Sequence, residues 1–204
     1  MATVAFLGFG ELGAALAQRM GALGEHELRA WVRPRERGEA GKAALAERLR
    51  AARAISFDSL ADAVRGTETI LAVVPGSSSL ELAEQSAGLL DAGTLYVDLT
   101  AGSVAAKQAG AKVVEDAGAR YVDAAVLGTA AVSDAPILIA AGGHGAEDWR
   151  RLADRAENLT VEVLDGPAGR ATQLKLLRSV YMKGRDALVV ETLLAARRSG
   201  PEER

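Results

Sequence analysis

Gly8, Gly10 and Gly13 form a G-x-G-x-x-G series within FLGFGELG, residues 6–13, between an apolar run and a helical stretch. That spacing suits the seating of a pyrophosphate. Gly8 allows a tight turn, Gly10 lets the backbone approach the anion, and Gly13 lets helix and strand pack closely. A helix starting at Glu11 adds the positive end of its dipole. Phe9, Glu11 and Leu12 complete the expected cradle, with the Glu11 carboxylate expected to point away from a phosphate. The competing reading is a glycine-rich strand exit with no ligand.

The next group is WVRPRER, residues 31–37. A site for NAD usually places an acid at this point for the ribose hydroxyls, whereas here Val32 and Arg33 stand there. An arginine suits a 2′-phosphate through charge-assisted hydrogen bonds, so NADP is the expected cofactor, with NAD still open. Arg35 and Arg37 are auxiliary candidates that Glu36 and Glu39 can neutralise; a solvated loop is the alternative. In VVPGSSS, residues 73–79, the backbone of Val74 and Pro75 can lie along the cofactor, and the serines can cap the helix that follows. In DLTAGS, residues 98–103, Thr100 and Ser103 can offer hydroxyls to a substrate or cap a helix instead. Lys107 reads as a solvated surface lysine. Lys175 shares a helical stripe with Ser179, Met182, Lys183 and Asp186. An amine partly withdrawn from water can exchange a proton with a reacting oxygen, although spacing alone makes a solvated lysine the more ordinary reading.

These groups need a scaffold, and short apolar runs alternating with helical stretches predict a parallel sheet covered by helices. Strands are expected at 3–7, 28–32, 55–57, 69–74, 94–99, 120–127, 136–141 and 160–164. Helices are expected at 11–23, 40–52, 59–64 (capped by Ser59), 80–90, 104–117 and 146–159. Residues 1–166 read as a Rossmann-type doubly wound domain, an α/β fold, with GPAG at 166–169 as the link to one long helix over 171–198. Leu176, Val180, Ala187, Val190 and Leu194 make one apolar stripe of that helix, and Leu174, Leu177, Tyr181 and Leu188 another. Such a helix needs partners on two sides. The sheet unit can cover one; a homodimer partner or a further C-terminal domain is expected for the other.

Composition narrows the function. The 204 residues are 49% hydrophobic and 25% charged with net charge -3, so there is no basic field for a nucleic acid. No apolar run of about 18 residues suggests a bilayer span, and the first residues do not read as a leader. Without cysteine and with only His26 and His144, no metal site is expected. The expectation is a cytoplasmic protein acting on a small molecule, with neither nucleic acid nor membrane as partner.

Read together, the segments over 3–198 resemble the β-hydroxyacid dehydrogenase superfamily, which includes 6-phosphogluconate and 3-hydroxyisobutyrate dehydrogenases. The glycine series and the Val74-Pro75 loop match. DLTAGSV aligns with the family's D-x-S-T-x-x-P at Asp98, with Thr100 in the serine position; DAAVLGT, 123–129, aligns with D-A-P-V-S-G-G; and GPAGRATQLK aligns with G-P-x-G-x-G-x-x-x-K at Lys175. The resemblance implies Lys175 as catalytic acid or base, Thr100, Ser103, Gly128 and Ser179 as substrate contacts, and a following all-helical domain. Ala101, Val104, Leu127, Thr129, Ala171 and Ser179 depart from the family's pattern. Retained lysine with altered contacts implies similar chemistry on a different substrate, with an imine-reducing enzyme or a non-catalytic nucleotide-binding module as alternatives. A purely structural α/β protein is the remaining class.

Overall fold

The computed structural model describes residues 2–22, 24–33, 38–128 and 135–199. Eight described strands form one sheet: β1 Ala2–Leu7, β2 His26–Trp31, β3 Ile55–Phe57, β4 Thr69–Ala72, β5 Leu95–Asp98, β6 Arg120–Val126, β7 Ile137–Gly142 and β8 Leu159–Val163. Their spatial order is β3-β2-β1-β4-β5-β6-β7-β8. The helices are α1 Glu11–Gly21, α2 Glu39–Ala52, α3 Leu60–Val64, α4 Ser79–Ala87, α5 Val104–Asp116, α6 Ala146–Ala153 and α7 Arg170–Arg198. The order reverses at β1, between β2 and β4, which opens a crevice at the carboxyl ends of those strands.

Both sheet faces are covered. Leu16 and Met20 of α1 and Trp149 and Ala153 of α6 pack on one face with Phe6, Val97 and Ile139. Ala63 and Val64 of α3, Leu82 of α4 and Val114 of α5 pack on the other with Leu7, Ile70 and Tyr96. Two-sided burial is why the strands read as continuous apolar runs, since a parallel sheet has no wet face.

Three expectations need correction. The sheet is not parallel throughout, because β7 runs antiparallel to β6, pairing Asp123 with Gly142 and Val126 with Ile139. Residues 127–136 are too short for a parallel crossover, which takes about a dozen residues or more. Helix α6 stops at Ala153 rather than running to 159, because the chain turns and Asn158 adopts φ 55 on its way into β8. Asparagine tolerates that left-handed conformation. Finally, Ser78 precedes α4 without a side-chain capping bond, and Ser79 donates to Asp98 instead; a 3-10 turn at Gly76–Ser78 leads into the helix.

Helix α7 leaves the sheet after its first turn. Ala171 and Thr172 are buried, Lys175, Ser179 and Met182 are half-buried, and the apolar side chains of both predicted stripes are exposed, up to 73% at Val180. The sheet unit therefore covers neither stripe; the partly covered face is the one carrying Lys175. Among the described residues no helix is long and apolar enough to cross a membrane.

Candidate functional site: a crevice between the glycine loop and the start of α7

The glycine loop joins β1 to α1, and its three glycines serve different needs. Gly8 adopts φ +101, and a Cβ there would lie 2.5 Å from the Val73 carbonyl oxygen. A Cβ on Gly13 would lie 2.7 Å from the Gly8 carbonyl oxygen. These two are demanded by the protein's own packing. Gly10 is different, for a Cβ there would meet nothing within 4 Å. It is the N-cap of α1, and no side chain caps that helix. The first N–H groups of a helix lack intrahelical partners, so an open, uncapped end is suited to an anion.

The open space beside Gly10 belongs to a cavity of about 1030 Å³. Gly8, Phe9, Gly10, Glu11, Leu12 and Gly13 line it, with Val74 and Pro75 after β4, Arg33 after β2, Arg48 from α2, and Lys175 from α7. Glu11, an exposed residue, is among those at this wall. Arg33 is partly exposed and pairs with Glu81 of α4 at 3.2 Å. Arg35 and Arg37 lie outside the described residues. Arg48 contributes a positive charge that the sequence reading overlooked; it lies three residues beyond Leu45 and seven beyond Gly41 on the cavity-lining face of α2.

Beneath the other wall lies a buried polar cluster. Asp98, at the end of β5, is the register partner of Asp123 on β6. The Lys107 ammonium, fully buried, reaches Asp98 Oδ1 at 2.9 Å and Asp123 Oδ1 at 3.7 Å, and donates to the Asp98 carbonyl oxygen at 2.7 Å. Expecting Lys107 on the surface was wrong. It shares the inward stripe of α5 with Gly110, Ala111 and Val114, so its charge had to meet a buried partner. Asp98 Oδ2 also accepts from Ser79 Oγ and Tyr121 OH, each at 2.6 Å, and Oδ1 accepts from the Thr100 N–H at 2.9 Å. Burial raises the Asp98 carboxyl's proton affinity, but the Lys107 charge and the Ser79 and Tyr121 hydrogen bonds outweigh it, so its pKa lies below the ordinary value. Burial, followed by the charge of Asp98, pushes the Tyr121 phenol well up.

Asp123 holds α7. Its Oδ2 accepts from the Gly169 and Thr172 N–H groups at 2.9 Å each, and its Oδ1 accepts from Thr172 Oγ1 at 2.6 Å. Gly169 lies at φ +98, where a Cβ would come within 2.9 Å of Val104, so helix, strand and α5 meet closely. Lys175 follows one turn after Thr172. Partial burial, then the Lys107 charge, lowers its pKa from the ordinary lysine value.

The other expected contacts are placed as follows. Thr100 is buried, and its Oγ1 has no hydrogen-bond partner among the described residues. Ser103 caps α5, accepting from the Ala106 N–H at 3.1 Å. Gly128 is exposed at φ +131, and Ser179 is half-buried one turn beyond Lys175. The structure thus brings the glycine loop, Arg33, Val74, Pro75 and Lys175 to one cavity, whereas the Ser103 hydroxyl is engaged at a helix end. Sequence reasoning missed Ser79, Tyr121, Asp123 and Thr172 as members of the cluster.

Fold and crevice together define a dinucleotide-binding α/β protein. Residues 3–169 match the family model of the NAD binding domain of 6-phosphogluconate dehydrogenase, and the chain belongs to that family. No curated protein matches the sequence. Among solved structures, a conserved protein of unknown function with structural similarity to 3-hydroxyacid dehydrogenases is 30% identical, with TM-score 0.80 over 98% of this chain and 72% of that one. The 3-hydroxyisobutyrate dehydrogenase of Mycobacterium tuberculosis, solved with L-serine, is 20% identical with TM-score 0.82, covering 97% of this chain and 66% of that one. An imine reductase from Aspergillus terreus, solved with NADPH4 and a dibenzazepine, is 20% identical with TM-score 0.78, covering 99% and 68%. The present chain thus spans between 66% and 72% of these three.

Proposed function

We propose that this chain binds NADP in preference to NAD and serves an oxidoreductase that moves hydride between nicotinamide and a small hydroxy acid or related carbonyl compound. The observation that carries the reading is the opening of Lys175 into the cavity lined by the uncapped glycine loop. Gly10 and the first turn of α1 would hold the pyrophosphate, Val74 and Pro75 would flank the cofactor, and Arg33 with Arg48 would favour a 2′-phosphate. The bound nicotinamide ring supplies hydride transfer. Lys175 takes the proton from the substrate hydroxyl in oxidation and returns it to the carbonyl oxygen in reduction. Its lowered pKa supports that role, because the neutral amine is then within easier reach. Thr100, Gly128 and Ser179 remain proposed substrate contacts, and the exposed apolar residues of α7 the proposed contact with a second copy.

The test pairs binding with turnover. Lys175→Met should bind NADPH within a few-fold of the wild type in a fluorescence titration. Its turnover of the best substrate in a panel of small hydroxy acids and cyclic imines should fall by about 10²–10⁴. Retained turnover sinks the assignment of Lys175. Absence of affinity for either nucleotide sinks the cofactor reading.

A further inference from the structure

We propose that Lys107 is a positioning residue for Lys175, fixing through the Asp98–Lys107–Asp123 cluster both the seat of the first turn of α7 and the positive charge that Lys175 faces. The inference rests on reading Lys175 as the proton-transfer group.

Asp98 and Asp123 are direct register partners on adjacent parallel strands, and both are buried. Two such carboxylates cannot readily stay ionised side by side without a cation. Lys107 supplies it from a third element, α5, with 0% of its side chain exposed. Replacing the whole buried cluster, carboxylates and ammonium together, by well-packed apolar residues would ordinarily serve stability as well or better. The lysine therefore calls for an explanation beyond packing.

The bonding of Asp123 provides one. Its two oxygens accept from Gly169 N–H, Thr172 N–H and Thr172 Oγ1, which only a carboxylate can satisfy together with a neighbouring ammonium. If Asp123 were protonated, one of its oxygens would become a donor aimed at other donors, and the first turn of α7 would lose its anchor. Lys107 places its positive charge 3.7 Å from that carboxylate, and Lys175 lies three residues beyond Thr172 on the anchored helix. Loss of the anchor would displace the amine from the cavity.

Lys107 also acts directly. It is the charged group whose repulsion adds to partial burial in lowering the proton affinity of Lys175. The groups around Lys107 are Asp98 from β5 and Tyr121 and Asp123 from β6; Glu11, Arg33 and Arg48 share the cavity that Lys175 enters.

The test is competitive acylation of lysine amines across a pH series, read by mass spectrometry at Lys175 with the exposed Lys42 as reagent standard. The pH midpoint is independent of how accessible the amine is. In the wild type the midpoint at Lys175 should lie below the ordinary lysine range. In Lys107→Met it should rise toward that range, whereas Lys107→Arg, which keeps the charge, should hold it low. Where the single variant does not fold, Lys107→Gln, which removes the charge but keeps a hydrogen-bond donor for Asp98, should give the same rise. A folded Met variant with the wild-type midpoint overturns the proposal, as does a wild-type midpoint in the ordinary range or an equal rise in the Arg variant. A purely structural role for Lys107 would alter stability without moving the midpoint. The labelling needs neither cofactor nor substrate, so its result and the turnover of Lys175→Met can fail separately.

Discussion

The Lys107 ammonium and the Asp98 carboxylate meet at 2.9 Å with side-chain exposures of 0% and 2%. Breaking such a pair by removing one partner leaves the other charge buried and uncompensated, which costs about 3–5 kcal/mol. Lys107→Met should therefore lower the urea midpoint substantially, while the double replacement Lys107→Met with Asp98→Asn should recover part of the loss. Additive losses in the double-variant cycle would contradict the ion-pair account.

The glycine loop separates folding from binding. Alanine at Gly8 would adopt φ +101 and press on the Val73 carbonyl, and alanine at Gly13 would press on the Gly8 carbonyl. Each should lose about 1–3 kcal/mol of stability. Alanine at Gly10 meets open space on a backbone, φ -78 and ψ -159, that other residues adopt. Its denaturant midpoint should stay level or rise, while NADPH affinity falls at least about tenfold, since each 1.4 kcal/mol of lost contact is a factor of ten. Wild-type affinity in Gly10→Ala would remove the loop from the cofactor site.

The strand and helix sequence of this fold was legible because two-sided burial writes apolar runs and glycine, serine and proline mark their ends. The antiparallel turn into β7 was not, because an apolar strand such as 137–141 reads the same in either direction. The burial of Lys107 could have been read, since it stands three, four and seven residues before Gly110, Ala111 and Val114 on a helix face with no polar neighbour. What hid the cluster was its composition from distant segments: Ser79, Asp98, Lys107, Asp123 and Thr172 converge only once β5 and β6 are paired.

His26 sets a pH window for stability. It is buried at the start of β2, and burial, followed by the positive charge of Arg155, holds its pKa below the ordinary value of about 6.5. The unfolded chain then binds the proton more readily than the folded one. Stability from this group is fully present above about pH 6.5 and is lost as the pH falls through the window down to the folded-state pKa. Thermal unfolding across that window should show a steeper acid-side decline for the wild type than for His26→Phe. Parallel curves would show that His26 does not titrate between the two states.

Arg33 and Glu81 oppose one another at the edge of the cavity, 3.2 Å apart and 41% and 52% exposed. An exposed pair of this kind contributes only about 0–1 kcal/mol, so a 2′-phosphate can take the guanidinium from the carboxylate at small cost. The carboxylate would then stand beside the phosphate as a like charge. Glu81→Gln should strengthen NADPH binding and leave NADH nearly unchanged, whereas Arg33→Ala should weaken NADPH by about tenfold, the loss of one charge-assisted contact of roughly 1.4 kcal/mol. Arg48→Ala should add a further loss for NADPH if its charge reaches the same phosphate. The measurement is the NADPH to NADH affinity ratio for each variant at one salt concentration, because exposed charges are screened. If Arg33→Ala weakens both nucleotides equally, Arg33 does not read the 2′-phosphate, and Glu81 is left as the group placed to accept a ribose hydroxyl from NAD.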